Sequence, residues 1–176
     1  MAIGLFMKGI ELFFPIYLVK NRMIDSSWAA VAYTLLLAAG VPGQWLGGKS
    51  ADKVGSKKVL IATMAGVCLS LVLLLFSPIY VVGIGAFILL YGVSFYGHQP
   101  ALNALTGFLS PQDQRGAVYG IFFFTSFGIG ALSQTLVGYI ADTYNFDVAF
   151  YLLTLFALAA LLLSLKLPDK REDKLA

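Results

Sequence analysis

The sequence predicts an all-α integral membrane protein with six transmembrane helices, and three observations carry that prediction. Hydrophobic residues make up 59% of the 176 and charged residues only 12%, against about 45–50% and about 25% in an ordinary globular domain. Mean hydropathy is correspondingly high, +0.84. The apolar residues also fall into six runs, each about the 20 residues that a helix needs to cross a bilayer core. Short gaps rich in charged and turn-forming residues separate them, as in KNRMIDSS, ADKVGSKK, SPQDQRG and DTYNFD. No soluble domain, low-complexity tract or long linker is visible.

Span one covers about 2–19, AIGLFMKGIELFFPIYLV. It has no basic leader and is interrupted by Lys8, Glu11 and Pro15, so cleavage as a signal peptide is not expected. A charge at mid-membrane costs on the order of 2.5–3.5 kcal/mol. Glu11 sits near the middle of the span with Lys8 one turn before it, on the same face. Two readings stand. Either the pair neutralises itself while Lys8 snorkels to the interface, or Glu11 lines a water-filled cavity and binds a proton or a cationic group.

Span two covers about 28–47 and runs into GQWLGGKS, residues 43–50, which fits the phosphate-cradling pattern G-x-x-x-x-G-K-[ST]. That loop needs a β-strand before it and a helix starting just after the lysine. Here it closes a membrane-length apolar run, so no nucleotide is expected. Gly43 and Gly47, four apart on one helical face, instead suit a close helix–helix approach. Span three, about 59–76, contains the single Cys68, so no internal disulfide forms.

Span four, about 79–108, is the most polar. Tyr91, Ser94 and His98 recur at i, i+3, i+7, and Tyr96, Gln99 and Asn103 repeat that spacing alongside. Together they predict one wide polar face turned away from lipid. Pro100 deprives the Tyr96 carbonyl of its helical partner and predicts a kink. His98, the only histidine, is either a proton-titrating group or a hydrogen-bonded packing residue. Gln99 and Asn103 either line a pathway or bridge helices. Span five, about 117–140, carries Thr125, Ser126 and Ser133 with the glycine pairs Gly116/Gly120 and Gly128/Gly130, which read as packing faces. Gln134 alone remains a cavity candidate there. Span six covers about 147–167.

Alternating the gaps between two sides of the membrane places Lys49, Lys53, Lys57, Lys58, Arg115, Lys166, Lys170, Arg171 and Lys174 together, nine of the twelve Lys and Arg residues. Short loops retain such charges in the cytoplasm, so both termini are expected there, most simply at the cell membrane. The net charge of +3 is spent at helix ends and gives no basic patch for nucleic acid. No metal or cofactor is expected.

Shifting the frame of the P-loop-like stretch reveals Gly48, Asp52, Lys53, Gly55, Lys57 and Lys58 in GKSADKVGSKKVL. This resembles the loop signature G-x-x-x-D-[RK]-x-G-[RK]-[RK] of the major facilitator superfamily, departing from it at Lys49, Ser50 and Ser56. A second stretch, PQDQRGAVYG, with Arg115 and Gly116, is similar to another loop of that family, P-x-x-x-R-G-x-x-x-G. LGGKSAD at 46–52 and LVGYIAD at 136–142 share Leu, Gly, Ala and Asp, which makes Gly138 and Asp142 counterparts of Gly48 and Asp52. The resemblance implies two inverted three-helix repeats, about 1–77 and 78–168. It also implies that the Asp52 loop steadies one conformation of a rocking carrier, with Asp52 capping or facing a helix N-terminus, and that the first helix of the half lines a central cavity. The chain then reads as one six-helix half, more like the C-terminal one, of a secondary transporter for a small organic solute. Its partners would be membrane lipid and a second half, from this or a separate chain. The alternative is a six-helix module that assembles or senses without transport. Neither reading makes the chain an enzyme.

Overall fold

The computed structural model describes residues 2–168, nearly all of them helical. The elements are α1 (Ala2–Arg22), α2 (Ser26–Val54), α3 (Ser56–Phe76), α4 (Tyr80–Leu109), α5 (Arg115–Thr143) and α6 (Phe146–Leu165). All six are long and apolar enough to cross a membrane, and no strand occurs among the described residues. Lys170, Arg171 and Lys174, counted above for topology, lie outside the described residues.

The largest departure from the expected bounds is α2, which continues through Gly48, Ser50 and Asp52 to Val54 instead of stopping near 47. Polar residues beyond a span propagate a helix as well as apolar ones do, and what stops this one is the backbone at Gly55. That residue has φ 100°, a region closed to most side chains, and it serves at once as the end of α2 and the start of α3. The GQWLGGKS stretch is therefore helical from end to end, with none of the strand–turn–helix geometry a phosphate loop needs. At the other starts, Asp25 accepts from the Ser27 N–H at 2.8 Å and Asn145 from the Val148 N–H at 2.9 Å, each satisfying an orphan donor of the first turn.

Packing is crossed rather than sequential. Helix α4 lies against α2 and α3, α1 lies against α5 and α6, and α3 meets α6. The centre is aromatic: Phe87, Tyr91 and Phe95 stack along α4 at 4.9 and 5.2 Å, with Phe14 and Phe6 of α1 against them at 4.7 and 6.0 Å. Glycines set the helix spacing. A Cβ on Gly43 would lie 2.6 Å from the Val93 carbonyl oxygen, Gly47 faces the Gly97 backbone, and Gly130 of α5 faces the Gly4 carbonyl of α1. Lipid offers no hydrophobic force between helices, so close backbone contact of this kind is what holds them. On α5 only Gly130, Ser133, Val137 and Ala141 are buried, and on α2 only Ala29, Leu36 and the glycines 40, 43 and 47. Both helices present most of their surface outward.

Candidate functional site

Helix α1 places an ion pair within its span. Lys8 Nζ donates to Glu11 Oε2 at 2.7 Å, with side chains 26% and 29% exposed. The same ammonium sits 5.2 Å from the Phe127 ring centroid on α5, within cation–π range. Gln134 of α5 donates to the Lys8 carbonyl at 3.3 Å. Three of the residues expected from sequence are thus joined across the α1–α5 contact. The carboxylate of Glu11 is also within electrostatic reach of the phenols of Tyr33, Tyr91 and Tyr96.

Beside this pair lies a cavity of about 290 Å³ between α1, α4, α5 and α6. His98, Gln99 and Asn103 line its α4 wall, with Ser126, Phe127 and Ser164 opposite. Residues near the starts of α1 and α5 and near the ends of α4 and α6 share it, so it occupies the end of the bundle where the α2–α3 and α4–α5 connections lie. His98 is 3% exposed, and its Nδ1 engages the Phe95 carbonyl of its own helix. It is therefore both a packed residue and a cavity lining. Gln99 accepts from Gln44 Nε2 at 3.0 Å, and the Asn103 carbonyl accepts from the Tyr119 hydroxyl at 2.6 Å. These bonds tie α4 to α2 and to α5.

The single wide polar face expected on α4 is divided. Tyr91 is 1% exposed and belongs to the aromatic stack, because its ring continues the 87, 91, 95 ridge and the ring outweighs the hydroxyl in packing. Its hydroxyl is the one buried side-chain polar atom without a partner among the described residues, which costs about 1–3 kcal/mol. Ser94 turns toward Gly66 of α3 and lines a separate groove. As for the expected kink, α4 remains helical through Pro100.

The residues expected from sequence to form a gate loop do not line the cavity. Gly48, Asp52 and Lys53 are in α2, Lys57 and Lys58 in the first turn of α3, and only Gly55 is non-helical. Asp52 is exposed, and the α3 N-terminus has no side-chain cap. The expected capping role is not realised, since Asp52 still belongs to the last turn of α2 and Gly55 occupies the cap position. Arg115 opens α5 and is exposed, and Gly116 has open space around it. Gly138 packs near Phe13, and Asp142 is exposed in the last turn of α5 as Asp52 is in that of α2.

Several residues escaped the sequence reading. Gln44 reaches Gln99 of α4 from α2, and Gly40, one turn before it, receives the Tyr96 ring. Their spacing of four is the signal that finds them. At the opposite end, Asp147 accepts from Asn21 at 3.0 Å and from Tyr17 at 3.4 Å, and Arg22 donates to Tyr17 at 3.0 Å and to the Leu74 carbonyl at 3.4 Å. This network joins α1, α3 and α6. Among the described residues no three His, Cys, Asp or Glu side chains gather as a metal site. The chemistry on offer is hydrogen bonding, aromatic contact and one embedded ion pair, suited to binding and release.

The profile of the Major Facilitator Superfamily matches residues 1–176. Among curated proteins, the chain is 26% identical over 166 residues to a fosmidomycin resistance protein of Escherichia coli (strain K12), covering 94% of this chain and 40% of that protein. It is 23% identical over 168 residues to a putative metabolite transport protein of Haemophilus influenzae, again covering 94% and 40%. Among solved structures, a peptide transporter POT in complex with alafosfalin superposes with a TM-score of 0.83 at 19% identity, covering 93% of this chain and 35% of that one. The chain thus spans about 40% of the length of the curated relatives it matches.

Proposed function

This chain belongs to the major facilitator superfamily, and on that premise we propose that it forms one six-helix half of a secondary active transporter, moving a small organic solute by alternating access. The observation that carries the proposal is the Lys8–Glu11 pair within α1, set beside a cavity lined by His98, Gln99 and Asn103. An ionisable pair inside a span is costly and calls for water or a task, and the neighbouring cavity supplies a place for both. Protonation of Glu11 releases Lys8 and couples solute movement to a proton gradient. Glu11 and Lys8 form the coupling pair, His98, Gln99, Asn103 and Gln134 contact solute or water, and Asp52 with Gly55 is the gate between α2 and α3. No covalent chemistry is involved.

The second half covers the outward faces of α2 and α5, whose burial is otherwise the poorest in the bundle. The crossed packing supports the reading as two inverted repeats: α1 with α5 and α6 mirrors α4 with α2 and α3. Leu46 and Leu136 are ninety positions apart, and that offset carries Ser26–Val54 onto 116–144, beside the observed Arg115–Thr143, and Ser56–Phe76 onto 146–166, beside Phe146–Leu165. The basic end of the bundle, with both termini, faces the cytoplasm of a cell membrane. The names of the curated relatives support a small organic solute as cargo.

The test is a proteoliposome uptake screen of small organic solutes under an imposed proton gradient. Accumulation by the parent protein that disappears in Glu11→Gln, with helicity intact, supports the proposal. Accumulation indifferent to Glu11→Gln removes the coupling role, and none with any solute counts against transport.

A further inference from the structure

The cavity beside the Lys8–Glu11 pair has two unlike walls. On α4, Gln99 and Asn103 are four residues apart, about 6 Å along the helix, with His98 next to Gln99. On α5, Phe122, Phe123 and Phe127 line it. The rings of Phe123 and Phe127 are nearly parallel, 16° apart with centroids at 5.9 Å, and the two residues are 43% and 49% exposed. Among the described residues no Lys, Arg, Asp or Glu lines the cavity, and Lys8 and Glu11 neutralise each other beside it.

The α4 wall keeps hydrogen-bonding atoms uncommitted. A carbonyl only accepts, so the contact with the Phe95 carbonyl places the proton of His98 on Nδ1 and leaves Nε2 a bare acceptor. The Tyr91 hydroxyl is the one sealed side-chain polar atom without a partner among the described residues. His98 Nε2 is therefore not sealed off, and it opens onto the cavity that His98 lines, although the residue is only 3% exposed. Gln99 spends its oxygen on Gln44, which leaves its own Nε2 to donate. Asn103 engages Tyr119 through its backbone carbonyl, so its side-chain amide adds a donor and an acceptor.

This pattern selects a shape. A sugar carries hydroxyls all round and would bury several against apolar lining without partners, and a charged solute would bring a charge that nothing in the lining meets. An alkyl chain would leave His98 and Gln99 unpaired. A planar heterocycle has donors and acceptors on its edge and apolar faces that stack on aromatic rings. The volume of about 290 Å³ lies at the lower end for small-molecule pockets, about 300–1,000 Å³, which suits a small ring system.

We propose that this cavity is a subsite for an uncharged planar heterocycle, its polar edge on His98 Nε2, Gln99 Nε2 and the Asn103 amide, its face on Phe123. The inference rests on the transporter reading and names the chemical class of the cargo.

The test is equilibrium binding of radiolabelled adenine, hypoxanthine and uracil to the 176-residue chain in nanodiscs at neutral pH, with no gradient imposed. At least one of the three is expected to bind saturably, one per chain, without competition from glucose or glutamate. Phe123→Ala and Asn103→Leu should each weaken that binding by roughly fivefold, and Phe123→Tyr should keep it. Phe124→Ala, at a residue 78% exposed and outside the cavity lining, should leave it unchanged. Circular dichroism verifies that each variant remains helical, and the Phe123 pair decides the matter if Asn103→Leu does not fold. No saturable binding of any of the three, or binding untouched by both Phe123→Ala and Asn103→Leu, overturns the proposal. Glu11-dependent uptake of glucose or glutamate with no heterocycle bound also overturns it while leaving the transporter reading intact. Heterocycle binding without uptake supports the subsite and counts against transport.

Discussion

Replacing Gly43 by alanine adds one methyl group where α2 and α4 cross. The new Cβ would stand 2.6 Å from the Val93 carbonyl oxygen, 2.8 Å from its Cα and 3.0 Å from its carbonyl carbon, whereas ordinary contact begins at 3.4 Å. Those atoms are backbone inside α4 and have no rotamer to move to, so α2 must withdraw by roughly 0.8 Å along a contact that also seats Gly40 and Gly47. Overpacking of this kind costs about 1–3 kcal/mol, fivefold or more in the folded-to-unfolded ratio. The assay is reversible unfolding by sodium dodecyl sulfate in mixed micelles, followed by far-ultraviolet circular dichroism. Gly120→Ala and Gly128→Ala on α5 serve as controls, since an added Cβ there meets nothing within 4 Å. They should be neutral or stabilising by up to about 1 kcal/mol, the helix-propensity gain. A Gly43→Ala protein as stable as those two controls would refute the claim that backbone contact sets the α2–α4 distance.

Four further outcomes follow from the same structure. Gly55→Ala, at φ 100°, should destabilise by about 1–2 kcal/mol in that assay, while Met23→Gly, at φ 53° and largely exposed, should stabilise by about 1 kcal/mol. Asp147→Ala strips Asn21 and the buried Tyr17 hydroxyl of their acceptor and should cost about 1–3 kcal/mol, with Tyr17→Phe milder by thermal unfolding. The backbone N–H of Ser27 holds the Asp25 carboxyl below its ordinary value of 3.8. Its contribution is therefore complete above that value and fades as pH falls through the lower folded value; a pH titration of stability should lose this acid limb in Asp25→Asn. Tyr91→Phe removes a buried hydroxyl without a partner and should stabilise, whereas a loss of transport without loss of stability would show that the hydroxyl meets Glu11 or solute during the cycle.

The six spans were legible because length and apolarity alone specify a bilayer crossing, and the charge pattern between them divides the chain cleanly. Helix ends were less so: nothing in GGKSADKV is unhelical until Gly55, and a polar helix beyond the membrane looks like a loop when judged by hydropathy. The Lys8–Glu11 pair was readable from its i, i+3 spacing. The split of the α4 face was not, since a tyrosine in an aromatic ridge and a tyrosine at a cavity share one letter, and only the partner helix tells them apart. Asp147 escaped for a different reason. Its partners Asn21 and Tyr17 are 126 and 130 residues away, beyond any local period, and they meet only once α1 and α6 are packed.

The central claim is that the α4 wall bearing His98, Gln99 and Asn103 lines a water-filled path opening at the basic, cytoplasmic end. Asn103→Cys in a Cys68→Ser background tests it, because Asn103 is exposed in the cavity and the lone native thiol is then gone. Reaction with a membrane-impermeant maleimide is expected in inside-out vesicles and not in right-side-out ones. Labelling in neither orientation, with the variant still helical and in the membrane, would place Asn103 against lipid or protein and contradict the path.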